Sequence, residues 1–102
     1  MKRVPEKVVQ KGVIALYEAF GCRVWHHSEP RAALVSVGYP DLTIFCPRRK
    51  ARWYFEVKAK GGKLRPSQVA FKLTAESCGC TVLVGGLREA KDHLKRIGLA
   101  LQ

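Results

Sequence analysis

Two acidic residues and a lysine in the middle of the chain carry the groups that metal-assisted chemistry needs. Asp41 directly follows Pro40 at the start of one strand-like stretch, and Glu56 and Lys58 lie two positions apart in the next. Side chains two residues apart in a strand point to the same face, so Glu56 and Lys58 share a face. Carboxylates on neighbouring strands could share one Mg²⁺ or Mn²⁺, which also takes water and phosphate oxygens as ligands.

This combination suits the hydrolysis of a phosphodiester. The metal would lower the pKa of a bound water and bind a phosphate oxygen, while Lys58 would stabilise developing negative charge or orient the water. The alternative for Glu56 and Lys58 is a salt bridge on an exposed edge strand, and Asp41 alone would fit a turn. Two strand-forming runs, together with Glu6 on the inward arc of a first helix, favour the metal site.

The surrounding sequence predicts the elements that would position these groups. The predicted ranges are a helix at 5–20, strands at 23–26, 41–45 and 52–59, a helix at 66–79, a strand at 81–84 and a helix at 87–97. A hairpin turn is expected at 47–50, and a loop or irregular strand at 28–37. The order is α-β-β-β-α-β-α, which predicts an α/β fold with a small mixed central sheet flanked by helices. The length predicts a single domain over residues 1–102.

The first helix combines an apolar arc with two polar residues. At helical spacing, Glu6 and Gln10 fall within or at the edge of the apolar arc, so a carboxylate and an amide are predicted to face inward. The apolar members of that arc are Val9, Val13, Leu16, Tyr17 and Phe20.

The charge balance favours a polyanionic partner. Nineteen Lys and Arg oppose eight Asp and Glu, which gives a formal charge of +11. Nucleic acid is the usual partner of such a chain, and the alternatives are a solubility device or a surface for anionic membranes. The sequence has neither a bilayer-spanning apolar run nor a signal peptide, so we expect a cytoplasmic protein. Its four cysteines are expected to be reduced and to pack as small hydrophobes rather than bind zinc.

The motifs, taken in order, resemble the virus-type replication-repair nucleases, the VRR-NUC branch of the PD-(D/E)XK restriction-endonuclease-like superfamily. The resemblance extends from about Glu6 to Gln68, and the order of predicted elements continues it. The matching residues are Glu6 and Gln10 of the first helix, Gly38-Tyr39-Pro40-Asp41-Leu42, Glu56-Val57-Lys58, and Gln68 at the start of the second helix.

The resemblance implies roles for these residues. Asp41 and Glu56 would ligate Mg²⁺ or Mn²⁺, with the Val57 carbonyl as a third ligand. Glu6 would act directly or through a metal-bound water, and Lys58 would be the catalytic lysine. Gln68 would position Lys58, water or DNA, although a simple polar residue in a first helical turn explains it nearly as well.

Basic clusters are expected to bind DNA phosphates. Any one of them alone would equally fit an ordinary solvated surface. Arg65 stands where a helix-capping Ser would be more usual, so we expect it to contact phosphate. The predicted DNA-binding residues are Lys60, Lys63 and Arg65 after the third strand, Arg48, Arg49 and Lys50 in the hairpin, and Gln10. A further cluster of Lys91, Lys95 and Arg96 lies on the third helix. His26 and His27 are not assigned to catalysis.

The resemblance also implies a class of substrate. Standalone relatives resemble Holliday-junction resolvases of DNA repair and recombination, which act as homodimers because two symmetric cuts need two active sites. We therefore expect branched DNA as partner, no membrane association, and a phage or prophage origin. The alternatives are a flap or nicking nuclease, a non-catalytic DNA-binding module with the same fold, and an RNA-binding protein without a metal site.

Overall fold

The chain folds in the predicted order of elements. The computed structural model describes residues 4–27 and 38–100, so the predicted loop at 28–37 lies outside the described residues. The elements are α1 (Glu6–Ala19), β1 (Arg23–His26), β2 (Leu42–Cys46), β3 (Ala51–Val57), α2 (Pro66–Ser77), β4 (Val82–Gly85) and α3 (Leu87–Arg96).

The four described strands form one mixed sheet in the order β1-β2-β3-β4. The pairs β1–β2 and β2–β3 are antiparallel, and β3–β4 is parallel, which requires the crossover that α2 provides. A 3-10 turn at Pro47–Arg49 joins β2 to β3 where the hairpin was predicted, and Lys50 closes it with a φ of 52°. The α/β prediction with a small mixed sheet is confirmed.

Two element ends differ from the prediction by two residues, and the other ends agree to within one residue. β3 ends at Val57 instead of Ala59, because its last partner, Gly85, is also the end of β4. α2 ends at Ser77, and Gly79 follows it with a φ of 85°, a left-handed conformation in which a helix does not continue.

The two faces of the sheet have different character. One face packs against α1 and α3 and forms the main core, in which each fully buried Val, Leu, Ile or Phe side chain contributes about 1.5–3 kcal/mol. The core includes Val13 and Tyr17 of α1, Leu42, Ile44 and Cys46 of β2, Trp53, Phe55 and Val57 of β3, and Ala90 and Leu94 of α3. The other face of β3 presents Tyr54 and Glu56, and Phe71 of α2 packs on Tyr54. Since successive strand residues alternate between faces, burying the apolar set places Glu56 on the α2 side.

A buried polar cluster lies inside the core. Tyr17 Oη and His93 Nδ1 are 3.2 Å apart, and the His93 ring also packs on Trp53 with centroids 4.6 Å apart. Burial, and secondarily the nearby charge of Arg96, lowers the pKa of His93 to about 4. His93 is therefore neutral in the folded protein at neutral pH.

Within residues 4–27 and 38–100, no helix has the length and apolar character needed to cross a membrane. Cys22 and Cys46 pack in the core as predicted, and burial raises the pKa of the Cys22 thiol to about 11. Cys80 is half-buried, and the prediction is wrong for Cys78, which is exposed just after the end of α2.

Candidate active site

Asp41 and Glu56 meet at one end of the central strands. Leu42 pairs with Phe55, so in the same antiparallel register the residue before Leu42 stands opposite Glu56. On the other side, the His27 amide donates to the Asp41 carbonyl over 2.6 Å. We call His27, Asp41 and Glu56 the catalytic row after the predicted roles of the two carboxylates, and His27 belongs to it by its position in the register alone. The row lies on the sheet face opposite the main core.

The protein holds both carboxylates in place. Asp41 Oδ2 accepts a hydrogen bond from the Val57 amide over 2.9 Å, and Glu56 Oε2 accepts one from Gln68 Nε2 over 3.0 Å. Glu56 is only 4% exposed, whereas Asp41 is half-buried. One oxygen of each carboxylate is thus fixed by the protein, which leaves the second for their mutual contact or for a cation.

The turn before Asp41 depends on a glycine. Gly38 has a φ of 89°, and a Cβ there would overlap the Ser67 carbonyl oxygen in the first turn of α2. A side chain at this position would therefore be strained and would push the turn away from α2. The buried Pro40 then fixes the chain leading into Asp41.

The environment of Glu56 disfavours its charged form. Burial raises its pKa most, and the charge and hydrogen bonding of the adjacent Asp41 raise it further, to about 8, although Lys58 opposes the shift. Without a cation, Glu56 therefore favours its protonated form near neutral pH. A divalent cation would replace that proton and relieve the repulsion.

Lys58 stands between two acidic side chains. Its Nζ is 3.8 Å from Glu56 Oε2 and 4.0 Å from Glu6 Oε1. The Lys58 side chain is only 14% exposed, so its charge acts in a partly desolvated setting. The structure thus brings Glu56, Lys58 and Asp41 together, as the spacing of the motifs predicted.

Glu6 faces the site, where its Oε1 lies near Lys58, but it is not buried as its place on the apolar arc predicted. Its side chain is 52% exposed at the rim of the site, because the first turn of α1 projects beyond the sheet and burial of the helix begins only near Val9. Glu6 approaches Lys58 rather than the two carboxylates. Among the described residues, no group of three or more His, Cys, Asp or Glu side chains could hold a metal ion. Asp41 and Glu56 are then the two carboxylates that could hold a cation, and a pair of carboxylates would suit Mg²⁺, which takes water and phosphate oxygens at its other positions.

Gln68 connects the site to α2. While its Nε2 donates to Glu56, its Oε1 accepts the Arg65 amide over 2.8 Å and so satisfies an otherwise unpaired donor at the helix start. Gln68 is 7% exposed. The structure therefore gives it a specific contact with Glu56, which a simple polar residue in a first turn would lack. The Arg65 side chain makes no capping bond and is exposed.

The predicted DNA-binding residues occupy different places. Lys60, Lys63 and Arg65 are exposed in the segment that directly follows Lys58, next to the catalytic row. The hairpin residues Arg48, Arg49 and Lys50 lie beyond the opposite end of β2, about 20 Å from Asp41 at the rise of a strand. Arg49 Nη2 donates to the Gly98 carbonyl over 2.8 Å, which ties it to the end of α3. Gln10 Oε1 lies 3.0 Å from His26 Nε2.

Sequence reasoning missed the surroundings of His27. Its Nε2 lies 2.7 Å from Thr43 Oγ1, and its ring packs on Tyr39, with centroids 5.0 Å apart. Burial lowers the pKa of His27, and the neighbouring His26 lowers it further. The signal was present as an alternation in β1, because Arg23, Trp25 and His27 are spaced to share one face of the strand.

The sheet is mixed and flanked by helices, and Asp41, Glu56 and Lys58 lie at its strand ends. Together these features define a nuclease-type domain of the restriction-endonuclease-like class. A solved structure described as a VRR_NUC domain is 30% identical to this chain, with a TM-score of 0.73. The similarity covers 89% of this chain and 94% of that one. The chain belongs to the VRR_NUC family, which confirms the resemblance in its motifs. No protein-family model and no curated protein matches the sequence.

Proposed function

We propose that this protein is a metal-dependent, structure-selective DNA endonuclease that hydrolyses phosphodiester bonds. The observation that carries the proposal is Glu56, a glutamate only 4% exposed that lies against Asp41. Two adjacent carboxylates in a buried setting cost stability unless a cation or a proton compensates them. Mg²⁺ or Mn²⁺ held by Asp41, Glu56 and the Val57 carbonyl would compensate them.

Each side chain of the site has a defined task in this mechanism. A bound divalent cation supplies Lewis-acid activation of a water and of a phosphate oxygen. Lys58 places its ammonium group 3.8 Å from Glu56 and stabilises the negative charge that develops on the phosphate. Gln68 keeps Glu56 in its orientation, and Glu6, at the exposed rim, acts through water rather than as a direct ligand.

The charge distribution supports DNA as the substrate. The chain has a net charge of +11, and Lys60, Lys63 and Arg65 are exposed immediately after the catalytic lysine. Contacts between such side chains and phosphates orient the nucleic acid but carry no sequence information, so recognition would follow the shape of branched DNA. A four-way junction needs two symmetric incisions, and one carboxylate pair per chain makes one incision, so we propose a homodimer acting as a Holliday-junction resolvase.

A flap or nicking nuclease is the second candidate. One carboxylate pair per chain is sufficient for a single incision, so a monomer would cut one strand at a flap. The two candidates differ in the number of chains that act on one substrate.

Incubation with three substrates tests the proposal. A four-way junction, a flap and a linear duplex of the same arm sequence would each be treated with Mg²⁺, Mn²⁺ or EDTA, using the wild type and Asp41→Asn. We expect metal-dependent cutting of branched DNA that Asp41→Asn abolishes, with paired symmetric incisions in the junction. Cutting that persists in EDTA or in Asp41→Asn would contradict the mechanism. Equal cutting of the linear duplex would contradict structure selectivity, and single incisions by a monomer would favour the flap or nicking nuclease.

A further inference from the structure

An open groove of about 730 Å³ lies on the same sheet face as the catalytic row. Its size falls within the range of about 300–1,000 Å³ that is typical of sites for drug-sized ligands. Tyr54 and Tyr39 line the side of the groove next to α2, where Phe71 packs on both of them. Trp25 of β1 and Phe45 of β2 also line the groove.

The sheet register arranges the groove as successive rows. Arg23, Phe45 and Arg52 stand opposite one another across β1, β2 and β3, and so do Trp25, Thr43 and Tyr54. The catalytic row comes next in the same direction. Residues two apart in a strand are separated by about 7 Å. The row that contains Trp25 is therefore about 7 Å from the carboxylates, and the row that contains the two arginines is about 14 Å from them. The groove is therefore continuous with the active site.

Two of the aromatic side chains that line the groove are strongly exposed. Trp25 is 54% exposed and Phe45 is 37% exposed, and the two rings meet edge to face with centroids 5.4 Å apart. Large apolar surface left in water marks a site of interaction when polar groups surround it. Here Arg23 and Arg52 lie beside the two rings, so the groove offers stacking surfaces and positive charge together.

We infer that this groove binds unpaired DNA nucleotides next to the scissile phosphate, a conclusion that rests on the proposed nuclease function. Aromatic rings on a positively charged surface bind single strands, because bases stack on the rings while cations contact the phosphates. In a linear duplex the bases stack on one another and are not available. A second copy of the chain fits the groove less well, because symmetric docking would bring the Arg23 and Arg52 side chains of both copies together.

The inference assigns a role to the branch in the substrate. An unpaired strand leaving a junction or flap would lie along the rows, with its bases against Trp25 and Phe45 and a phosphate at the catalytic row. Arg23 and Arg52 would hold the phosphates farther from the cut. The enzyme would thus recognise single-stranded character beside the incision without reading sequence.

Binding in EDTA tests the groove separately from cutting. The probe is a fluorescein-labelled dT oligonucleotide, titrated by fluorescence anisotropy with the full chain as wild type, Trp25→Ala, Phe45→Ala and the double variant. Base stacking is worth about 1–3 kcal/mol per base, so each single substitution should weaken binding by roughly 5- to 150-fold. Trp25→Phe should retain most of the affinity, because it keeps an aromatic face. The matched control is Leu73→Ala, which removes a 63% exposed apolar side chain from α2 outside the groove and should leave the affinity unchanged.

Three outcomes would overturn the inference. The first is wild-type dT affinity in the double variant with an unchanged melting temperature, and the second is an equal loss of affinity in Leu73→Ala. The third is a change in oligomeric state by sedimentation in the double variant, because it would show that a second copy occupies the groove. If dT binding requires Trp25 but no substrate is ever cut, the groove stands and the nuclease function fails. If junctions are cut but the double variant binds dT normally, the nuclease function stands and the groove inference fails.

Discussion

Gln68 donates a hydrogen bond from Nε2 to Glu56 Oε2 over 3.0 Å, and so joins the first turn of α2 to the catalytic row. Its other amide atom accepts the Arg65 amide over 2.8 Å. One side chain therefore both caps a helix and orients a carboxylate that would ligate metal. Groups that hold the ligands of a metal site in position typically affect metal affinity as well as stability.

Replacing Gln68 with Ala should lower the free energy of unfolding by about 1–3 kcal/mol, because the buried Glu56 oxygen and the Arg65 amide both lose a partner. Urea unfolding of the metal-free protein measures this loss. The control is Val69→Ala on the same helical turn, which removes a 40% exposed side chain and should change little. Equal stability of the wild type and Gln68→Ala would show that the contact contributes nothing.

The metal-free protein should become less stable as pH rises from about 4.5 towards 8. Glu56 has a pKa of about 8 in the folded protein and an ordinary value when unfolded, so the folded state holds its proton more tightly. That stability is fully present below the unfolded pKa and is lost as pH rises through the folded pKa. At about 1.4 kcal/mol per pKa unit, the loss amounts to several kcal/mol.

Urea unfolding of the wild type and Glu56→Gln from pH 4 to pH 9 measures this effect. The amide cannot titrate, so the difference in stability between the two proteins should grow with pH. A pH-independent difference would show that Glu56 is not perturbed in the folded state.

His93 should produce a dependence of opposite sign. Its pKa of about 4 in the folded protein, against 6.5 when unfolded, means that the unfolded state binds the proton more tightly between these values. Stability is therefore lost as pH falls from about 6.5 to about 4, by about 3 kcal/mol in total. His93→Gln removes the titrating ring, so its unfolding free energy should lack this component. If the difference in unfolding free energy between the wild type and His93→Gln were the same at pH 7 and pH 4, the lowered pKa of His93 would be contradicted.

The sequence predicted the order of elements because each has strong local signals. Pro66 begins α2 and Gly79 follows its end, and β3 alternates apolar and polar residues so that Phe55 and Glu56 face opposite sides. The meeting of Asp41 and Glu56 followed from the motif, since both were expected at the ends of neighbouring strands.

The remaining contacts of the site depend on packing between elements that are distant in sequence. Helical spacing places Glu6 on the apolar arc of α1 but cannot show that this first turn projects past the sheet. Likewise, the sequence does not indicate that Arg49 reaches Gly98 or that Gln68 reaches Glu56. The Trp25 and Phe45 groove depends on how far α2 covers its face, which no local pattern specifies.

Lys58 should be needed for cutting but not for metal binding. Replacing it with Met keeps the length of the side chain and removes its charge, so the rate of junction cutting should fall by about 10²- to 10⁴-fold. The rise in melting temperature with Mg²⁺ should persist, because Asp41 and Glu56 remain. Lys72→Met is the control, since that lysine pairs with Glu76 on α2, and it should cut at the wild-type rate. Wild-type cutting by Lys58→Met would exclude the proposed role.

Calorimetric titration of the metal-free protein with Mn²⁺ at pH 8 tests most directly whether the carboxylate pair captures a divalent cation. We predict saturable binding by the wild type, weakened by more than about 10-fold in Asp41→Asn. Glu18→Gln, which neutralises an exposed carboxylate at the far end of α1, should bind as the wild type does. The absence of wild-type binding at millimolar Mn²⁺, or equal binding by Asp41→Asn, would contradict the metal site on which the proposed chemistry depends.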